Sequence, residues 1–287
     1  MTDKRTLTDF LLTHNGQQSE MFCSPDVALA RHQYRSEHPT QIAALKCMDG
    51  RLNLSLMTGV PQGIIQPFRN IGGQFDMGWP YFGQLMQDWV DTAVTKEGRN
   101  CLVLVTYHWS RSTPHLGCRG FSYDVTAARA YTLKLLNQVE RVFGEKHSTV
   151  YPVQVGIETD ENALVLHGRS GEVFDLGLTG TLSAEEITLT LARLYPDMKS
   201  HVVSDFTALL MGNMSRIASV KKHPRTRMQT EHREKVLAIG RGFDWLHLPN
   251  TALIIGPDSF DLVKPIAAAA GILQENLAQG RIPREDG

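Results

Sequence analysis

The chain predicts an α/β protein with a mainly parallel sheet flanked by helices, and two observations carry that reading. Short aliphatic and β-branched runs recur without the apolar–polar alternation of a half-exposed strand, which suits strands covered on both faces. Between several of them lie segments with apolar residues at helical spacing, and strands separated by helices build a layered α/β fold. Composition agrees. With 287 residues, 42% hydrophobic, 8% aromatic and 21% charged, there is chain enough for one large domain or two small ones. Disordered and collagen-like classes are excluded.

Taken in order, residues 1–37 read as an N-terminal helical arm and 38–287 as the body. Strands are expected over 41–48 (QIAALKCM), 63–71 (GIIQPFRNI), 101–108 (CLVLVTYH), 151–158 (YPVQVGIE), 163–168 (ALVLHG) and 251–256 (TALIIG). A helix over 82–97 would place Leu85, Met86, Trp89, Val90, Ala93 and Val94 on one side. A second, over 124–143, starts from Asp124 as cap and aligns Ala128, Tyr131, Leu135, Val139 and Val142. Ser183 and Glu186 form a capping box before ITLTLARLY, and an Ala-rich helix over 260–279 follows later. A subdomain boundary is placed near 168–182.

The formal net charge of -1 argues against a mainly nucleic-acid-binding protein. The basic stretch 216–235 reads as a solvated helix face and loop, with an anion or nucleic-acid contact as its alternative. No run of about 18 apolar residues suggests a membrane span. The first twenty residues resemble no secretory leader, so a cytosolic protein is expected. In that setting Cys23, Cys47, Cys101 and Cys118 are not expected to form disulfides. The plain reading of each is a small buried apolar residue, with Cys101 its best example and Cys23 in a Ser-Pro-flanked loop.

Two of these cysteines have informative neighbours. Cys47, Asp49 and Arg51 stand as C-x-D-x-R where the run 41–48 ends, and the run 101–108 ends at His108. Cys118 comes ten residues after His108, just ahead of the helix near Asp124. In a parallel sheet, ligands bind beyond the carboxyl ends of strands. Two thiolates and an imidazole there make a three-ligand zinc site whose fourth position is open to water, the arrangement of a catalytic rather than a structural site. Thiolates favour zinc over magnesium or calcium. Asp49 and Arg51, two apart on an extended chain, would point to one side and pair, keeping the carboxylate ionised and fixed. Residue by residue, the same positions also fit buried cysteines, a core histidine and a structural salt bridge.

Together these residues resemble the β-class carbonic anhydrases. Cys47-Met48-Asp49-Gly50-Arg51 matches that family's C-x-D-x-R, and Arg69-Asn70-Ile71-Gly72 its R-N-x-G. The carboxysome shell branch is the closer likeness: Tyr107-His108, a Ser-rich turn, Pro114-His115, then Gly117-Cys118. The segment 155–168 (VGIETDENALVLHG) looks like that branch's Val-Gly-Ile-Asp-Thr-Asp stretch. The similarity spans about 38–170.

The resemblance implies reversible hydration of carbon dioxide to bicarbonate. Cys47, His108 and Cys118 would hold Zn2+, while Asp49 and Arg51 would serve catalysis. His115-Leu116-Gly117-Cys118 also reads as the plain H-x-x-C of the class. His108 is preferred because it ends the buried strand, which leaves His115 as a second-shell or proton-shuttle candidate or a solvated loop residue. The branch's long N-terminal extension and zinc-free second half have no counterpart here, so a carboxysomal address is doubtful and a homodimer is expected. Two alternatives stay open: hydrolysis of CS2 or COS on the same scaffold, and an inactive interaction module of the same fold.

Overall fold

The computed structural model describes residues 4–144, 149–226, 231, 233–234, 237–239, 253–255 and 263–284. The N-terminal arm is helical: α1 (Lys4–Cys23) and α2 (Pro25–Glu37) meet at Ser24, and Pro25 occupies the first turn of α2, where no amide donor is needed. Cys23 is exposed at the end of α1, so the buried, loop-borne reading of this cysteine is corrected.

A six-stranded, mostly parallel sheet with helices around it forms the body. Its strands are β1 (Gln41–Cys47), β2 (Ile65–Asn70), β3 (Cys101–Trp109), β4 (Val150–Glu158), β5 (Ala163–His167) and β6 (Val173–Asp175), in the order β2-β1-β3-β4-β5-β6. The pairs β1–β2, β1–β3 and β3–β4 are parallel, whereas β5 and β6 add on antiparallel. The unalternated runs are explained by cover on both sides: β4 is buried along its whole length, and β3 except at Trp109. Within 251–256 the described residues form β8 (Leu253–Ile255), which pairs in parallel with β7 (Leu237–Ile239).

One side of the sheet carries α4 (Pro80–Asp91) and α5 (Val125–Phe143). Phe82, Met86, Leu135 and Val139 pack there on Ala43, Leu45, Val103 and Val105. A five-residue π turn, Thr92–Lys96, completes the helical segment expected to Glu97. Asp124 caps α5 by accepting from the Ala127 amide. The buried face of α5 is rotated from the expected one. Thr132 and Leu136 turn inward, Tyr131 is half-buried with its hydroxyl on the Phe75 carbonyl, and Val142 is exposed.

The other side carries α3 (Leu54–Thr58), α6 (Ala184–Leu194), α7 (Ser200–Lys222) and α8 (Val263–Ala278), whose buried residues share one cluster with the opposite faces of β1, β3 and β4. The Ser183–Glu186 capping box starts α6. Helix α7 was not anticipated. It takes in residues 216–222 of the basic stretch, with Lys221 and Lys222 exposed at its end. Arg225 instead turns inward onto the Thr159 and Asp160 carbonyls, and Glu234 is buried. Residues 227–230, 232 and 235 of that stretch lie outside the described residues. No described helix is long and apolar enough to cross a membrane.

The chain leaves β1 to form β2 on one side and later returns to place β3 on the other. The sheet therefore has a topological switch point at β1, and a crevice opens beyond the carboxyl ends of β1 and β3.

Candidate metal centre

Cys47 is the last residue of β1, His108 lies one residue before the end of β3, and Cys118 sits in the loop that follows. All three are buried, and one ligand atom from each falls within 4.8 Å of the others. The sheet explains the first two positions, since both strands end at the switch point. The third depends on the loop after β3. Ser110 donates to Asp160 and the Ser112 amide donates to the same carboxylate, so the start of this loop is tied to the turn after β4. Buried Glu158 accepts from the amides of Asp160 and Glu161 and fixes that turn in its place.

The donor set fits a metal ion. Both ring nitrogens of His108 are buried with no hydrogen-bond partner among the described residues, a costly state for a polar side chain unless a lone pair is used in coordination. Cys47 receives the Gly72 amide at 3.3 Å from its sulfur. Gly72 is held at φ 64°, where a Cβ would strike the Phe121 ring, so glycine alone suits that approach. Hydrogen bonding from Cys118 holds the Cys47 thiol well below its ordinary pKa, assisted by His108 and opposed by burial. The same contact, with burial, pushes Cys118 well above. A metal ion binds cysteine as the thiolate, so coordination by the two sulfurs would release the protons they carry.

Asp49 and Arg51 pair as expected, by a different geometry. Both lie beyond β1 in a turn, so the extended-chain argument is corrected: the turn brings the Arg51 backbone amide onto Asp49 Oδ1 at 2.9 Å. Arg51 Nε reaches both carboxylate oxygens at 3.0 and 3.1 Å, and its terminal nitrogen lies 2.5 Å from Oδ2. That nitrogen also donates to the Leu116 carbonyl, which joins the pair to the loop carrying Cys118. Burial disfavours the charged guanidinium, but the charge and hydrogen bonds of Asp49 outweigh it and raise the Arg51 pKa.

Cys47, Asp49 and His108 line one small cavity with Met48, Ile71 and Gly117. Among the described residues, its remaining wall comes from Arg119, Glu234 and Ile272, which local sequence patterns did not identify. Glu234 sits inside a stretch that reads as basic and solvated. Ile272 is one apolar residue of an Ala-rich helix. His115 is not among the clustered ligands: it is exposed and packs edge-on against Tyr123, with ring centres 5.1 Å apart. Cys101 is buried at the start of β3, apart from the site, as its plain reading requires. The centre is thus a buried Cys47–His108–Cys118 group able to hold a metal ion, with a locked Asp–Arg pair beside it. Compared with known proteins, the chain matches no family model and no curated sequence.

Proposed function

We propose that the protein is a zinc-dependent carbonic anhydrase of β-class type, interconverting carbon dioxide and bicarbonate. The observation that carries this reading is the buried Cys47–His108–Cys118 group at a strand switch point, with Asp49 locked by Arg51 in the same cavity. Zinc on two thiolates and an imidazole would act as a Lewis acid and bring the pKa of water at its open position down to about 7. The chain's own residues do the rest. Arg51 keeps Asp49 ionised and in one orientation, so the carboxylate is a fixed hydrogen-bond acceptor that aims the nucleophilic oxygen. Met48, Ile71 and Ile272 give the cavity apolar walls, which suit a small substrate without charge and keep bulk water out.

Metal analysis joined to stopped-flow CO2 hydration tests the reading. Cys47→Ser and His108→Ala should lose zinc and activity together. Asp49→Ala should keep zinc and lose about a hundredfold in rate, the scale of a misplaced acid–base group. Activity retained by a zinc-free Cys47→Ser protein would overturn the assignment. The homodimer belongs to the same proposal. Phe10 and Leu12 on α1 and Leu29 on α2 are exposed, as residues of a subunit contact would be in the isolated chain. Sedimentation should give twice the chain mass of 32.0 kDa, and a monomer would count against it.

A further inference from the structure

The cavity at the metal centre is narrow, with about 10 Å³ of free space. That is room for one water-sized particle, less than a three-heavy-atom substrate needs. Part of what narrows it comes from far along the same chain. Ile272 on α8 forms part of the wall and, with Ala269, joins the apolar cluster that includes Cys47, Cys118 and Ile71.

Helix α8 is fastened where it crosses the turn after Cys118. Glu275 pairs with Arg119 at 3.3 Å and accepts from the Tyr123 hydroxyl at 3.3 Å. Both partners belong to the short turn that starts at the metal-ligating cysteine, and the amide of Tyr123 donates back to the Cys118 carbonyl. The turn is strained: Ser122 and Tyr123 adopt φ of 50° and 67°, a left-handed conformation that an aromatic residue rarely takes. One helical position on, fully buried Asn276 donates to the Glu234 carbonyl at 2.7 Å, and Arg281 donates to Asn276 at 2.9 Å. The second clasp therefore holds Glu234 in the cavity wall.

We propose that α8 is a latched cover over the metal centre, with Glu275 as its latch and Ile272 as the residue that limits the size of the molecule admitted. The cover lies on the turn that carries Cys118, so its opening and the placement of that ligand are mechanically joined. Its functional meaning rests on the metal-centre reading. Its existence does not, because the test uses the metal-free chain.

The four cysteines make the test self-controlled. Cys23 is exposed, Cys101 is buried in the sheet away from the cavity, and Cys47 and Cys118 share the apolar cluster of Ala269 and Ile272 on α8. Full-length metal-free protein is treated with iodoacetamide, and each cysteine is followed by peptide mass spectrometry. In the wild type, Cys23 should react quickly and the other three slowly. Glu275→Gln should speed labelling of Cys47 and Cys118 about fivefold, the effect of losing one charge-assisted hydrogen bond on a local opening. Ile272→Ala should speed it about tenfold and narrow the gap between iodoacetamide and the bulkier N-ethylmaleimide. Cys101 should stay slow throughout. The proposal is overturned if Cys47 labels as fast as Cys23 in the wild type, if neither variant changes its rate, or if Cys101 accelerates in parallel. Any of these results leaves the zinc and CO2 assays free to succeed or fail on their own.

Discussion

Asp49 and Arg51 sit together where water hardly reaches, with side chains 5% and 2% exposed. Removing one partner of such a pair leaves the other charge buried at a cost of about 3–5 kcal/mol. Arg51→Met should therefore destabilise the fold by that order, and Asp49→Asn combined with Arg51→Met by clearly less, since no charge is then stranded. Chemical denaturation of the two single variants and the double variant gives the coupling directly; additive losses would show that the pair is not an energetic unit. A second residue-level expectation concerns His167 on β5, whose Nε2 lies 2.8 Å from the hydroxyl of Tyr107 on β3, across β4. Burial, with the charge of Arg129, lowers its pKa to about 4. The folded chain thus keeps His167 neutral where the unfolded chain, with an ordinary value near 6.5, takes up a proton. Its contribution is complete above pH 6.5 and is lost as the pH falls towards 4. The denaturation midpoint should fall across that window in the wild type and fall less in His167→Gln; parallel curves would dispose of the idea.

Among the elements, α7 is the one whose sequence concealed its role. Gly212 and Asn213 interrupt any apolar stripe, and a basic tail makes the segment look like surface. In the fold Gly212 is where α7 meets α3, and a Cβ there would lie 1.7 Å from the Thr58 carbonyl oxygen. Asn213 is fully buried, donates to the Met57 and Asn162 carbonyls, and accepts from the Leu164 amide. These are long-range fits, and no local periodicity records them. Gly212→Ala should cost about 3 kcal/mol through overpacking, read as a lower denaturation midpoint with an unchanged slope. A neutral result would mean α7 can slide without loss. The caps are the opposite case, because Asp124 and the Ser183–Glu186 box act within one turn and were legible by spacing alone. Asp124→Ala should cost about 1 kcal/mol. The candidate site divides along the same line. Cys47 and His108 were legible because strand-end residues follow from the burial pattern of β1 and β3. Glu234 and Ile272 were not, because they reach the cavity only through the packing of α8.

At the scale of the whole molecule, the candidate metal centre would join parts of the chain that the rest of the fold holds less firmly. Cys47 and His108 end two adjacent strands of the sheet, whereas Cys118 belongs to a loop with two short 3-10 turns and no buried residue in either. An ion bound by all three would fasten that loop, and through Arg119 and Glu275 also α8, to the sheet. Binding to the folded chain alone adds RT ln(1 + [L]/Kd), about 4 kcal/mol when the ion stands at a thousand times its dissociation constant. For a chain of this size that corresponds to a shift in Tm on the order of 10 °C. Removing the ion with a chelator should lower Tm by that amount, and re-adding zinc should restore it. Cys118→Ser should abolish most of the response, because the loop would no longer be attached. Arg119→Gln should leave much of it, since it frees only α8. If the chelator leaves Tm unchanged in a protein shown to contain zinc, the ion is held outside this group, and both the centre and the coupling of the loop to the sheet would have to be abandoned.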